Sequence, residues 1–181
     1  MSRPSPASAS RSGAVVLADR LDAVVDVVGR WTAWCGLAIV VLVAFNVILR
    51  YLFRVGPVWM QEMEWHLISP IALIGMSYAM RHDEHVRVDM FYEKFGTKTR
   101  AWVDFAAALT TLAVAVIIAK LSLGMVEQSF TSGETSTDPG GLPYRYLLKG
   151  FIPLGFALLA VQAVAHGIRS VLRIAGRDAG G

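Results

Sequence analysis

The chain has 181 residues, 55% of them hydrophobic and only 17% charged, with a mean hydropathy of +0.50 and a formal net charge of +3. That much apolar sequence does not suit a water-soluble domain, and so weak a positive excess leaves no electrostatic footprint for nucleic acid. A single cysteine, Cys35, excludes an internal disulfide.

Residues 1–13 are Ser, Ala, Pro and Arg with almost nothing to bury, and read as a disordered tail. Over 14–30, Leu17, Leu21, Val24, Val25 and Val28 recur at helical spacing, while Asp19, Asp22, Asp26 and Arg30 fill the other face. These charges break up what would be a signal-peptide core and predict an amphipathic helix lying along the cytoplasmic interface. Its acidic face suits a protein partner better than anionic lipid. Next comes a four-helix membrane domain over 31–173, with spans at about 31–53, 59–80, 101–125 and 146–168. Each meets the roughly 20 residues that cross a bilayer at about 1.5 Å per residue. In the second loop, Val88, Phe91, Tyr92 and Phe95 predict a short second interfacial helix. The third loop, Glu127 to Pro143, holds a strong turn signal in Asp138-Pro139-Gly140-Gly141-Leu142-Pro143. Residues 174–181 form a second tail. Trp31, Trp34, Trp59, Trp65, Trp102, Tyr144 and Tyr146 sit near span ends, as interfacial anchors do.

Loop charges orient the domain. Twelve Lys and Arg fall in the two termini and the second loop, four fall in the first and third loops (Arg50, Arg54, Arg145, Lys149), and Lys120 lies inside a span. The positive-inside bias therefore places both termini in the cytoplasm. The expected fold class is an all-α integral membrane protein of four transmembrane helices plus amphipathic interfacial helices.

The candidate chemistry is sparse. Arg50 closes the first span and Glu62 and Glu64 open the second, so the three meet at one hairpin end, with Asn46 one turn away. An Arg–carboxylate pair there lowers the cost of charge near lipid, with Arg50 pairing with Glu62 or with Glu64 and the Arg50–Glu62 pair expected to couple. His82, Asp83, Glu84, His85 and Asp89 match no closed zinc set, so no metal is expected. His66 and His166 lie at opposite ends of their helices and cannot ligate one haem. Lys120 lies about five residues from the end of its span and within snorkelling reach of the interface. Gly140 and Gly141 lack the Gly-Lys-Ser/Thr of a phosphate loop, so no nucleotide, no cofactor and no enzymatic activity is expected. There is no internal repeat of the kind that builds many carrier cores.

The run Asn46-Val47-Ile48-Leu49-Arg50-Tyr51-Leu52-Phe53, then Pro57, Trp59 and Glu62, then His85-Val86-Arg87-Val88-Asp89, resembles the small membrane subunit (DctQ-type) of tripartite ATP-independent periplasmic (TRAP) transporters. Gly133-Glu134-Thr135-Ser136, the Asp138 to Pro143 turn and Ile152-Pro153-Leu154-Gly155-Phe156 are similar to that family too. Members often carry two adjacent acids after the tryptophan; here Gln61 precedes Glu62. The resemblance implies a bacterial inner-membrane subunit that packs on a large multi-span permease. A periplasmic solute-binding protein delivers the solute, a sodium gradient drives import, and no ATPase takes part. Glu62, Glu64, Trp65 and His66 with the turn resemble a subgroup for organic acids such as 2-oxo acids. On this reading the substrate sites lie in the partner. Asn46, Arg50, Trp59, Glu62, Glu64, His85, Asp89, Glu134, Pro143 and Pro153 are then structural or partner-contact residues. Two other classes are a membrane anchor or assembly protein and a self-sufficient four-span exporter. The exporter needs a membrane-embedded carboxylate, and Glu62, Glu64 and Asp104 all lie near span ends.

Overall fold

A computed structural model describes residues 13–82 and 95–176. All regular structure among them is helical: α1 (Gly13–Ile48), α2 (Val58–Arg81), α3 (Thr97–Thr131) and α4 (Arg145–Ile174). Three segments, Gly13–Phe53, Thr97–Thr131 and Arg145–Ile174, are long and apolar enough to cross a membrane. The 24-residue α2 measures about 36 Å and carries Glu62, Glu64 and His66 in its first half.

The amphipathic segment expected over 14–30 is not a separate helix. It is the first part of α1, which runs on unbroken to Ile48. Because α1 does not turn aside at Arg30, it stays against α2 throughout: Asn46 meets Glu64, Gly29 abuts the Tyr78 ring, and Asp26 reaches Arg81. A π turn over Leu49–Phe53 ends the helix, with Arg54 in the left-handed region at φ 55° and Val55 N–H bonded back to Leu49 O. Pro57, whose ring fixes φ and lacks an N–H, then opens α2.

α4 is the hub. It packs against α3 along its length and also touches α2 and α1, whereas α3 has α4 as its one extensive neighbour. The interior is built from small residues: Ala18, Ala101, Ala108, Ala115, Ala163 and Ala165 are buried, together with Ser77, Ser129 and Ser170. Large apolar side chains face outward instead, with Trp31 73%, Leu52 73% and Leu121 73% exposed. In water that distribution is unfavourable. In a bilayer, where lipid is as apolar as leucine, helices associate through small residues that let backbones approach, and bulky groups face the tails.

Between α4 and α2 a glycine meets helix backbone. A Cβ on Gly155 would lie 2.7 Å from Leu73 Cβ and 2.8 Å from Leu73 O. Pro153, two residues earlier, sits inside α4. Gly155→Val should therefore push the helices apart and lower stability by about 1–3 kcal/mol, while Gly75→Ala, with open space around it, should change little. Thermal unfolding in detergent, followed by helical circular dichroism, separates the two.

Candidate functional site

The sequence motifs of the third loop and of α2 meet at one point. Asp138, Pro139, Gly140 and Gly141 form a type II turn, with Gly141 N–H bonded to Asp138 O at 3.0 Å and Gly140 at φ 80°. Proline at the second position presets φ, and a left-handed third position wants glycine. Gly141 is needed for space, since a Cβ there would strike the Ser136 side chain and lie 2.8 Å from Glu62 Oε2. Two further bonds close the loop: Ser136 N–H to Leu142 O at 3.2 Å and Arg145 N–H to Glu134 O at 3.2 Å.

That folded loop caps Glu62. Its carboxylate accepts hydrogen bonds from the Ser136 hydroxyl, the Leu142 N–H and Arg145 Nη2, the last at 3.2 Å. Ser136 Oγ in turn accepts from Asp138 N–H at 3.1 Å. Beside this pair Lys149 Nζ donates to Glu134 Oε2, and this bond above all holds the Glu134 carboxyl below the usual carboxylate range. Arg145 and Lys149 lie one helical turn apart, so one face of α4 supplies both cations. A cleft of about 330 Å³ opens beside them, lined by Glu62, Trp65, His66, Ser69, Asp138 and Arg145 among others. The charges of Glu62 and Arg145 are already spent on each other, and no metal-binding group of His, Cys, Asp or Glu occurs among the described residues.

The expected Arg50–Glu62 pair does not form. Glu62 is held by Arg145, Glu64 Oε1 accepts from Asn46 Nδ2 at 3.1 Å, and Arg50 is exposed. Arg50 lies in the π turn, its Nε 3.7 Å from the position of a Cβ on Gly56. Asn46 is buried, Trp59 is exposed in the first turn of α2, and Pro143 precedes Tyr144, whose left-handed φ of 67° starts α4. His85 and Asp89 lie outside the described residues, as does the expected short helix from Val88.

A second polar layer occupies the opposite end. Asp22, 1% exposed, accepts from Arg169 and from Gln162 Nε2 at 3.0 Å, and Arg81 Nε lies 3.5 Å away. Asp26 faces His82 Nε2 at 3.2 Å, Asp19 faces Arg169 at 3.1 Å, and Arg173 reaches Asp104 at 3.3 Å. The acidic face of α1 thus finds its partners within this chain, on α2 and α4. Sequence reasoning missed this layer and missed Arg145, Ser136 and Lys149. A signal existed for Asp22, which shares its helical face with Ala18 and Val25, both fully buried.

Glu62→Ala and Arg145→Ala should each lower the melting temperature by several degrees, and the double variant should lose less than the sum, because each single change strands a charge. Arg50→Ala combined with Glu62→Ala should be additive. Thermal melts of the three single and two double variants in one detergent check both statements.

No curated protein matches the chain. The family model for the DctQ component of tripartite ATP-independent periplasmic transporters matches residues 39–173. The matched stretch holds the Glu62 cap, the Gly155 crossing and the α2 and α4 sides of the Asp22 layer. The chain belongs to the DctQ component family of tripartite ATP-independent periplasmic transporters.

Proposed function

We propose that this chain is the small scaffold subunit of a sodium-driven, binding-protein-dependent transporter that imports an organic acid, with 2-oxo acids as the substrate class. All four helices cross the bacterial inner membrane. Both termini and the α2–α3 connection face the cytoplasm, and the Glu62 cap faces the periplasm. The bundle packs on the large permease subunit, which carries the solute and sodium sites, and the chain itself is not an enzyme.

One observation carries this reading. Every ion pair among the described residues lies at one of the two ends of the bundle, and the interior between them is packed through small residues. Coupling to an ion needs polar groups at mid-depth that change partners as the site alternates. Here the charged groups tie helix ends to one another, which suits a body that stays still while its partner moves. The sequence likewise has no internal repeat of the kind that builds many carrier cores.

Reconstitution tests it. In liposomes the chain alone should accumulate no solute. With the large subunit and the solute-binding protein it should support uptake of a labelled 2-oxo acid that stops when the inward sodium gradient is collapsed. Uptake by the chain alone, or uptake indifferent to sodium, would refute the reading.

A further inference from the structure

The cleft beside the Glu62 cap has a polarity that its own hydrogen bonds set. On the α2 wall, Glu62, Trp65, His66 and Ser69 follow at i, i+3, i+4 and i+7 and so share one helix face; Arg145 and Leu148 of α4 and Asp138 of the loop complete the lining. His66 Nδ1 lies 2.9 Å from Glu62 O. A carbonyl can only accept, so the hydrogen is on Nδ1, and Nε2 of the neutral ring is left as an acceptor. The Ser69 hydroxyl donates to Trp65 O at 2.7 Å, which satisfies it within its own helix. Asp138 is tied down through its backbone, its N–H on Ser136 Oγ at 3.1 Å and its O on the Gly141 N–H at 3.0 Å. Its carboxylate has no hydrogen bond or ion pair among the described residues.

Glu62 and Asp138 against Arg145 leave one negative charge in excess. Arg145 Nη2 is shared between Glu62 Oε1 at 3.2 Å and Ser136 Oγ at 3.4 Å, so the acid still lacking a cation is Asp138. Trp65, 65% exposed, adds an indole face, and such a face attracts a cation. An unpaired carboxylate, an imidazole acceptor and an aromatic face together favour an ammonium that can donate hydrogen bonds. Arg145 Nε and Nη1, which hold no partner among the described residues, leave a place for an anionic oxygen next to it. The depth is also particular. Ser69 lies seven residues beyond Glu62, about 10 Å along α2 toward the bilayer centre, so the cleft takes in a headgroup layer about 5–7 Å thick and the start of the acyl chains. Leu148 and the Trp65 ring supply apolar lining at that level.

We propose that this cleft binds the phosphoethanolamine head group of a phospholipid in the periplasmic leaflet; this rests on the membrane placement given under the proposed function. The primary ammonium donates to the Asp138 carboxylate and to His66 Nε2 and lies against the Trp65 indole. A phosphate oxygen accepts from Arg145, and the upper part of one acyl chain runs past Leu148. A choline head group carries the positive charge without an N–H, so it satisfies the indole and leaves both acceptors unbonded. A glycerol head group brings no cation, and its lipid adds a net negative charge to a cleft that already has one in excess.

The test uses the full chain in detergent, equilibrated with equal amounts of phosphatidylethanolamine, phosphatidylcholine and phosphatidylglycerol of identical acyl chains. Native mass spectrometry reads which lipid stays bound. The wild type should retain phosphatidylethanolamine about fivefold or more over either other lipid, and Asp138→Asn should cut that preference about threefold or more with melting unchanged. If Asp138→Asn disturbs the turn and lowers the melting temperature, Trp65→Leu, at an exposed position, should still reduce the preference. Equal retention of the three lipids, a preference for phosphatidylglycerol, or a wild-type preference in both variants overturns the assignment. Soluble glycerophosphoethanolamine should displace little of the bound lipid; displacement at equal concentration makes the free head group the ligand and overturns the lipid. Thr137→Cys in a Cys35→Ala background should react with an impermeant thiol reagent in intact cells. Shielding at Thr137 overturns the periplasmic placement, whereas reaction there with no lipid preference removes this site and leaves the placement standing.

Discussion

A carboxylate near the start of an apolar helix must be answered by donors, because lipid offers none. Glu62 sets that requirement, and the whole loop end of the bundle is arranged around it. The α3–α4 loop folds into a type II turn so that Ser136 and the Leu142 N–H point at the carboxylate, and α4 begins where Arg145 can reach it. One residue of α2 therefore fixes the connection between two other helices. Gly141 and the left-handed Gly140 and Tyr144 follow from the same demand, since a side chain or an ordinary φ at these places would lift the loop off its acceptor.

The same logic governs the other end with the signs placed differently. There the buried acid is on α1 and the donors come from α2 and α4. Asp22 would be expensive alone; with Arg169, Arg81 and Gln162 around it the cost is offset, and the three helices acquire a fixed register. Between the two layers the helices touch through alanine, serine and glycine, so close approach replaces the hydrophobic effect as the source of packing specificity. α4 takes part in both layers and in the Gly155 crossing, which accounts for its central place.

Much of this was legible in the sequence, and the illegible part has a pattern. Apolar windows located α3 and α4, and they located the hydrophobic part of α1, because hydropathy reports which residues tolerate lipid. Helix ends lie beyond the span ends, since backbone hydrogen bonding carries α3 on to Thr131 and joins the amphipathic segment to α1 without regard to hydropathy. Family motifs at Glu62, Gly133 to Ser136 and Asp138 to Pro143 were visible as separate runs; nothing in their spacing said that they touch. Proximity in sequence favoured Arg50 as the partner of Glu62, whereas the true partner lies 83 residues away. The π turn that holds Arg50 leaves no mark in composition. Asp22 was assigned to the polar face because it is charged, although Ala18 and Val25 on the same face mark it as buried.

On the function proposed above, this bundle is a rigid body whose ends stay locked while the large subunit moves. The direct measurement is the distance between spin labels at Val55, in the α1–α2 turn, and Thr137, on the loop that caps Glu62. It is made by double electron–electron resonance in a Cys35→Ala background within the assembled transporter. One narrow distribution, the same without ligand, with sodium, and with sodium plus loaded binding protein, is the expected result. A distribution that shifts or splits when sodium or the loaded binding protein is added would contradict it, since the cap would then open and close with transport.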